Sequence, residues 1–225
     1  MGNLYSCRHG SHVAGTIGGS TYGIAKQVDL VGVKVLTSQG SGSYAGVIKG
    51  IEWAWKDSKT RSGKSVANMS LGGGFSRAIN DAVAAAIKNG LIMVVAAGND
   101  NADACKYSPA STATAITVAA VDSADTIATF SNWGPCVDIA APGVKITSVW
   151  KDSNTSTKTI SGTSMAAPHV AGVVALYLGE GKSAEFVMEN ATKDAVLGLK
   201  ATPVTKNLYL YSNPTSSKKI YSLFE

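Results

Sequence analysis

The sequence predicts an α/β fold: a doubly wound, mostly parallel sheet with helices on both faces. Three observations predict it. Short apolar runs recur without polar alternation, as expected of strands buried on both sides. Helical patterns separate those runs, which implies crossover units. The 225 residues are 45% hydrophobic and only 16% charged, with 24 glycines, a balance that suits a compact chain with many tight turns.

The strand candidates are residues 30–36, 65–70, 91–97, 116–121 and 137–140. Between them, Ser76 is placed to cap a helix over 78–89, with Gly90 at its stop position. A second helix is expected over 44–59, and a third over 164–178 with Pro168 in its early turns, where a missing N–H is tolerated. Residues 151–158 are polar and read as a surface loop. With no internal repeat and no linker, residues 1–211 read as one domain and 212–225 as a polar tail. In folds of this class the site lies beyond the C-terminal ends of the strands.

Composition excludes several functions. The formal charge is +5, but the basic residues are scattered and no aromatic-plus-basic ladder accompanies them, so nucleic acid is not an expected partner. The longest apolar run, 91–97, is too short for a membrane span. Residues 1–8 contain no apolar signal-peptide core. Met1 to Ser6 fits a loose myristoylation pattern, outweighed because this N-terminus reads as cut from a longer chain. The three cysteines, Cys7, Cys105 and Cys136, leave at least one thiol free if a bridge forms; spacing alone does not separate a bridge from buried thiols.

Three segments carry candidate chemistry. In Gly162-Thr163-Ser164-Met165-Ala166-Ala167-Pro168-His169, a serine enters a helix whose free N–H groups and dipole favour negative charge, as a tetrahedral intermediate requires. The competing reading is a plain N-cap serine. In His9-Gly10-Ser11-His12-Val13-Ala14-Gly15-Thr16, two histidines three apart could share a helix face and bind metal, but a third ligand and a HExxH pattern are missing. The alternative is a general base for Ser164. In Ala96-Ala97-Gly98-Asn99-Asp100, an asparagine at a strand end can donate to an oxyanion; an ordinary turn asparagine is the plain alternative.

Taken together, these segments resemble the subtilisin-like serine proteases, nearest the proteinase K branch and its fungal vacuolar protease B (cerevisin-type) members. The likeness runs from His9 to about Tyr211, with Ser70-Leu71-Gly72-Gly73 as a fourth motif in the family's order. The resemblance implies a serine endopeptidase with His9 as base, Ser164 as nucleophile and Asn99 as oxyanion donor beside the Ser164 N–H. It implies that Ser70, Leu71 and Gly72 pair with the substrate backbone and that Gly40, Ser41 and Gly42 form the opposite wall, with Tyr44 beside the deeper subsite. Ala96, Ala97 and Gly98 would floor the primary pocket. His12 and His169 match structural positions.

The pattern breaks at the aspartate. The family places it before the histidine, yet only eight residues precede His9 and none is acidic; Asp29, the first, lies downstream at what is a surface strand edge in the family. The expectation is therefore a truncated domain, active only with its N-terminal portion. A pseudoprotease that binds peptides without cleaving them, or a gene-model fragment, is the alternative. The resemblance also implies that no cofactor is required, and that Asp138 binds a structural Ca²⁺ with the carbonyls of Ala113 and Ala115, against the plain reading of a turn aspartate. It implies a Cys105–Cys136 disulfide with Cys7 free. Peptide or protein substrates, a propeptide outside this chain, and a secreted or vacuolar setting follow from the same likeness.

Overall fold

A computed structural model describes residues 8–200 and 204–212. The readings on Cys7, on Met1 to Ser6 and on the tail beyond residue 212 lie outside these residues.

In chain order the elements are α1 (Arg8–Gly18), α2 (Tyr44–Ser58), β1 (Val66–Met69), β2 (Gly73–Gly74), α3 (Arg77–Lys88), β3 (Ile92–Ala96), β4 (Tyr107–Ser108) and β5 (Ile116–Val121). There follow β6 (Ile139–Pro142), β7 (Ile146–Val149), β8 (Thr157–Ile160), α4 (Thr163–Gly179), α5 (Phe186–Glu189), β9 (Thr192–Lys193) and β10 (Leu208–Tyr209). The main sheet has the order β1-β3-β5-β6-β10-β9. All its pairs are parallel except β10 with β9. Two small antiparallel pairs, β2 with β4 and β7 with β8, stand apart from it.

The apolar runs lack alternation because both faces of the sheet are covered. Along β3, Val94 packs under α4 with Val118, Ile139, Val170 and Val173. Its neighbours Met93 and Val95 point the other way, into the layer formed by Val47 and Ile51 of α2 and Ile79 and Val83 of α3. Helix α4 is buried nearly all round, so it has no polar stripe to mark its orientation. Ser76 caps α3 by accepting from the Ile79 N–H at 3.4 Å, and Gly90 follows with φ of 93°, a left-handed stop that a residue with Cβ adopts poorly.

Residues 30–36 correct the strand expectation. The stretch forms no ladder, and Leu30, Val31 and Val33 are 43%, 44% and 37% exposed. An apolar β-branched run biases the backbone toward extension, but a strand exists only where a neighbour supplies hydrogen bonds. Val35 and Leu36 are half-buried, and Val35 lies where a Cβ on Gly50 of α2 would fall 2.3 Å from its Cγ1. Residues 151–158 are likewise only partly a loop: β8 takes up Thr157 and Lys158 in a hairpin with β7.

Candidate active site

The strand ends deliver the site. Beyond β1 the chain runs through Ser70, Leu71 and Gly72; beyond β3 it runs through Ala97, Gly98 and Asn99. Ser164 is the second residue of α4, inside the first turn, where backbone N–H groups lack intrahelical partners. Ser164 and Ser70 are tied in both directions. The Ser70 hydroxyl donates to the Ser164 carbonyl at 2.8 Å, and Ser164 Oγ donates to the Ser70 carbonyl at 3.3 Å.

Asn99 is oriented by Thr163, a buried residue to which sequence reading gave no role. Asn99 Oδ1 accepts from the Thr163 N–H at 2.8 Å and from Thr163 Oγ1 at 2.9 Å. Thr163 Oγ1 in turn accepts from the Gly98 N–H at 3.2 Å. With its oxygen occupied, the Asn99 amide presents Nδ2, which has no acceptor among the described residues and lies beside Gly162 at the start of α4. A hydrogen-bond donor and a helix N-terminus thus converge next to a serine hydroxyl. That combination stabilises an oxyanion.

His9 sits in the first turn of α1, half-buried. Burial lowers its pKa below the ordinary 6.5, and the charge on His12 acts in the same direction. No hydrogen bond joins His9 to Ser164, and no carboxylate among the described residues acts on the ring. Asp29 is exposed and its charge acts on Arg61 instead. His12 and His169 are occupied by backbone: His12 Nε2–H is shared between the carbonyls of Ile146 (3.1 Å) and Lys158 (3.0 Å), and His169 Nδ1–H donates to Met165 O at 2.8 Å. Among the described residues no group of three or more His, Cys, Asp or Glu side chains could hold a metal ion.

A cleft of about 430 Å³ brings together His9, Gly40, Ser41, Gly42, Tyr44, Ser70, Leu71 and Gly72. Tyr44 Oη donates to Gly74 O at 3.2 Å. Leu36, Val47, Ile79 and Pro109 also line it and were not singled out from sequence, because each is an ordinary apolar residue until the fold gathers them. Ala96, Ala97, Gly98, Asn99 and Ser164 do not line this cleft. Ala96 and Ala97 are buried in the cores on opposite faces of the sheet.

Cys105 and Cys136 are joined by a disulfide, with Cα atoms 5.3 Å apart. The Asp138 carboxylate accepts from Lys206 Nζ at 2.7 Å and from the Thr117 N–H at 3.0 Å. Ala113 and Ala115 line the same pocket. Calcium takes six to eight oxygens, waters among them, and here Lys206 is paired with the one carboxylate at hand.

The geometry is matched by comparison with known proteins. Residues 3–217 match the model of the subtilase family, Peptidase_S8. The chain belongs to the subtilase family. This subtilase chain is 59% identical over 175 residues to an alkaline serine exoprotease A of Vibrio alginolyticus, covering 78% of this chain and 32% of that protein. It is 57% identical over 173 residues to subtilisin-like protease 2 of Pseudogymnoascus destructans, covering 77% and 43%. The crystal structure of a cold adapted subtilisin-like serine proteinase superposes with a TM-score of 0.86 at 50% identity, covering 92% of this chain and 76% of that one. The doubly wound α/β fold is therefore subtilisin-like. The subtilase chain spans from about a third to under half of the length of these two curated relatives. Among its described residues no helix is long and apolar enough to cross a membrane.

Proposed function

We propose that this chain is the substrate-binding and oxyanion-forming core of a serine endopeptidase. Ser164 Oγ attacks the scissile carbonyl carbon while His9 takes its proton. The oxyanion that forms accepts from Asn99 Nδ2 and the Ser164 N–H, and His9 then returns the proton to the leaving amine. Water, activated by His9, releases the acyl group from Ser164 in the second half of the cycle. The substrate lies extended between Ser70–Gly72 and the wall of Gly40, Ser41 and Gly42, pairing as an added strand. The carrying observation is the Asn99 amide, locked by Thr163 with its donor turned to the start of α4.

Full turnover needs a carboxylate on the far side of the His9 ring, which fixes the tautomer and stabilises the imidazolium. The described residues supply none. That observation favours a second reading, a peptide-binding subtilase domain that does not turn over. A fluorophosphonate probe applied to the purified chain separates the two. Labelling that disappears in Ser164→Ala supports the peptidase; no labelling of the wild-type chain overturns it.

The proposed partners are peptide or protein substrates and a propeptide. The proposed setting is secreted or vacuolar, supported by the disulfide and by relatives such as the extracellular serine proteinase of a Thermus strain. The chemistry requires no cofactor.

A further inference from the structure

Asn132 lies outside every motif that singled out the site, yet it is fully buried and its side-chain amide is spent on one loop. Its Nδ2 donates to Ala97 O at 2.9 Å, and its Oδ1 accepts from the N–H groups of Asp100 (2.9 Å) and Ala102 (3.0 Å). Its own backbone N–H donates to Gly98 O at 2.9 Å. The partners decide the amide's orientation, since a carbonyl faces one end and two N–H groups face the other. These contacts fall on both sides of Asn99. They also explain Gly98: its φ is 106°, and a Cβ there would lie 2.3 Å from Asn132 Nδ2.

The surrounding segment is a template for the same loop. Asn101 N–H donates to Phe130 O at 2.9 Å, Trp133 N–H to Ala102 O at 3.0 Å, and Ala104 N–H to Trp133 O at 2.8 Å. Ser131 fastens that template to the sheet by accepting from the Ala120 N–H of β5 at 3.0 Å, and the Cys105–Cys136 bridge closes it at the far end. Asn99 itself is exposed, so its own packing does not hold it.

The geometry points to Asn132 as a positioning residue for the oxyanion site: it fixes the backbone before and after Asn99, and so the direction in which the Asn99 amide donates. The inference rests on the reading of Asn99 as oxyanion donor. Loss of the Asn132 amide removes the bonds to one buried carbonyl, that of Ala97, and to the part-buried N–H groups of Asp100 and Ala102; a buried group left unpaired is costly.

The test uses the full chain and the rate at which a fluorophosphonate labels Ser164, whose phosphoryl oxygen occupies the oxyanion position. A single donor of this type is worth about 10²–10³-fold in turnover, a magnitude measured on a subtilisin. Asn99→Ala and Asn132→Ala are each expected to slow labelling by about tenfold or more. The double variant is expected to be no slower than Asn99→Ala alone, because residues acting through one group are not additive. Asn207→Ala, which removes a comparable backbone-clamping asparagine at Val196, keeps the wild-type rate. Hydrogen exchange supplies a readout independent of chemistry: Asn132→Ala loses protection at the Asp100 and Ala102 amides while β3 and β5 keep theirs. A wild-type labelling rate in Asn132→Ala, a double variant slowed by the product of the two single effects, or retained protection at Asp100 and Ala102 overturns the proposal. A wild-type chain that fails to label overturns the peptidase reading, and the exchange arm still decides this one. Should the alanine variant not fold, Asn132→Asp, which keeps the two acceptor bonds and loses the donor to Ala97 O, is read by labelling rate alone: slowed labelling supports the proposal and a wild-type rate overturns it.

Discussion

Around Ser164 and Asn99 each backbone turn is braced by a buried partner, whereas around His9 the bracing stops three residues away, at His12. The serine half is anchored by Thr163, Asn132, the pairing of Ser70 with Ser164, and a disulfide. The histidine half rests on α1, which is pinned through His12 to the β7–β8 hairpin and packs against α4. The His9 ring has no hydrogen bond to a described residue, and residues 30–36 form no strand, with Leu30, Val31 and Val33 exposed. The proposed oxyanion site is thus preorganised by buried partners, while among the described residues the proposed base, His9, is aimed only by the helix that carries it. Preorganisation of this kind is what lets a fixed dipole act without reorganising during reaction.

The comparison breaks most decisively on turnover. Hydrolysis of a chromogenic peptide with an aromatic primary residue is expected to run about 10⁴-fold below a triad that has its carboxylate. Ordinary protease rates, lost in Ser164→Ala, would show that the histidine half is complete after all.

A second contrast is in stability. Ile139→Ala, in the fully buried core under α4, is expected to cost about 2–5 kcal/mol in denaturant unfolding. Leu30→Ala, on the unpaired stretch, is expected to change stability by less than about 0.5 kcal/mol. Equal costs would mean that residues 30–36 are buried in solution.

The disulfide closes a loop across a sequence separation of 31, for which chain entropy gives about 3–4 kcal/mol at most, less any strain. Cys105→Ser with Cys136→Ser should lower unfolding stability by up to that amount. Alkylation of the unreduced, unfolded protein should attach one label, on Cys7; three labels would remove the bridge.

Acid is expected to weaken both halves through their histidines. Burial lowers the pKa of His9, His12 and His169 below the unfolded value of 6.5. At pH values below that, the unfolded chain binds more protons than the folded one, so stability falls as pH drops through 6.5 and toward the folded pKa values. For His12, which is fully buried, the slope is at most about 1.4 kcal/mol per pH unit. A melting temperature that stays flat from neutral pH to below 6.5 contradicts this. The acid limb of kcat/KM should likewise fall below 6.5, since His9 must be neutral to accept a proton.

The smallest effect concerns Asp138. EDTA and excess Ca²⁺ should give the same melting temperature while Lys206 holds the carboxylate. A rise with Ca²⁺ would return Asp138 to the role of a metal ligand.

By itself the sequence determined the fold class, the parallel core strands and the motif residues His9, Asn99 and Ser164. These are legible because periodicity and short motifs are local, and because strands buried on both faces leave unbroken apolar runs. One stretch and three single residues were decided only by tertiary structure. Residues 30–36 read as a strand but lack a partner, since pairing is a property of neighbours rather than of the run. Thr163 and Asn132 read as ordinary polar residues, and their meaning lies in acceptors 64 and 35 residues away. Asp138 reads as a calcium ligand or a turn aspartate, and its pairing with Lys206, 68 residues later, is visible only in the fold. A side chain's type states which bonds it can make; which ones it does make is set by contacts between segments that the sequence keeps far apart.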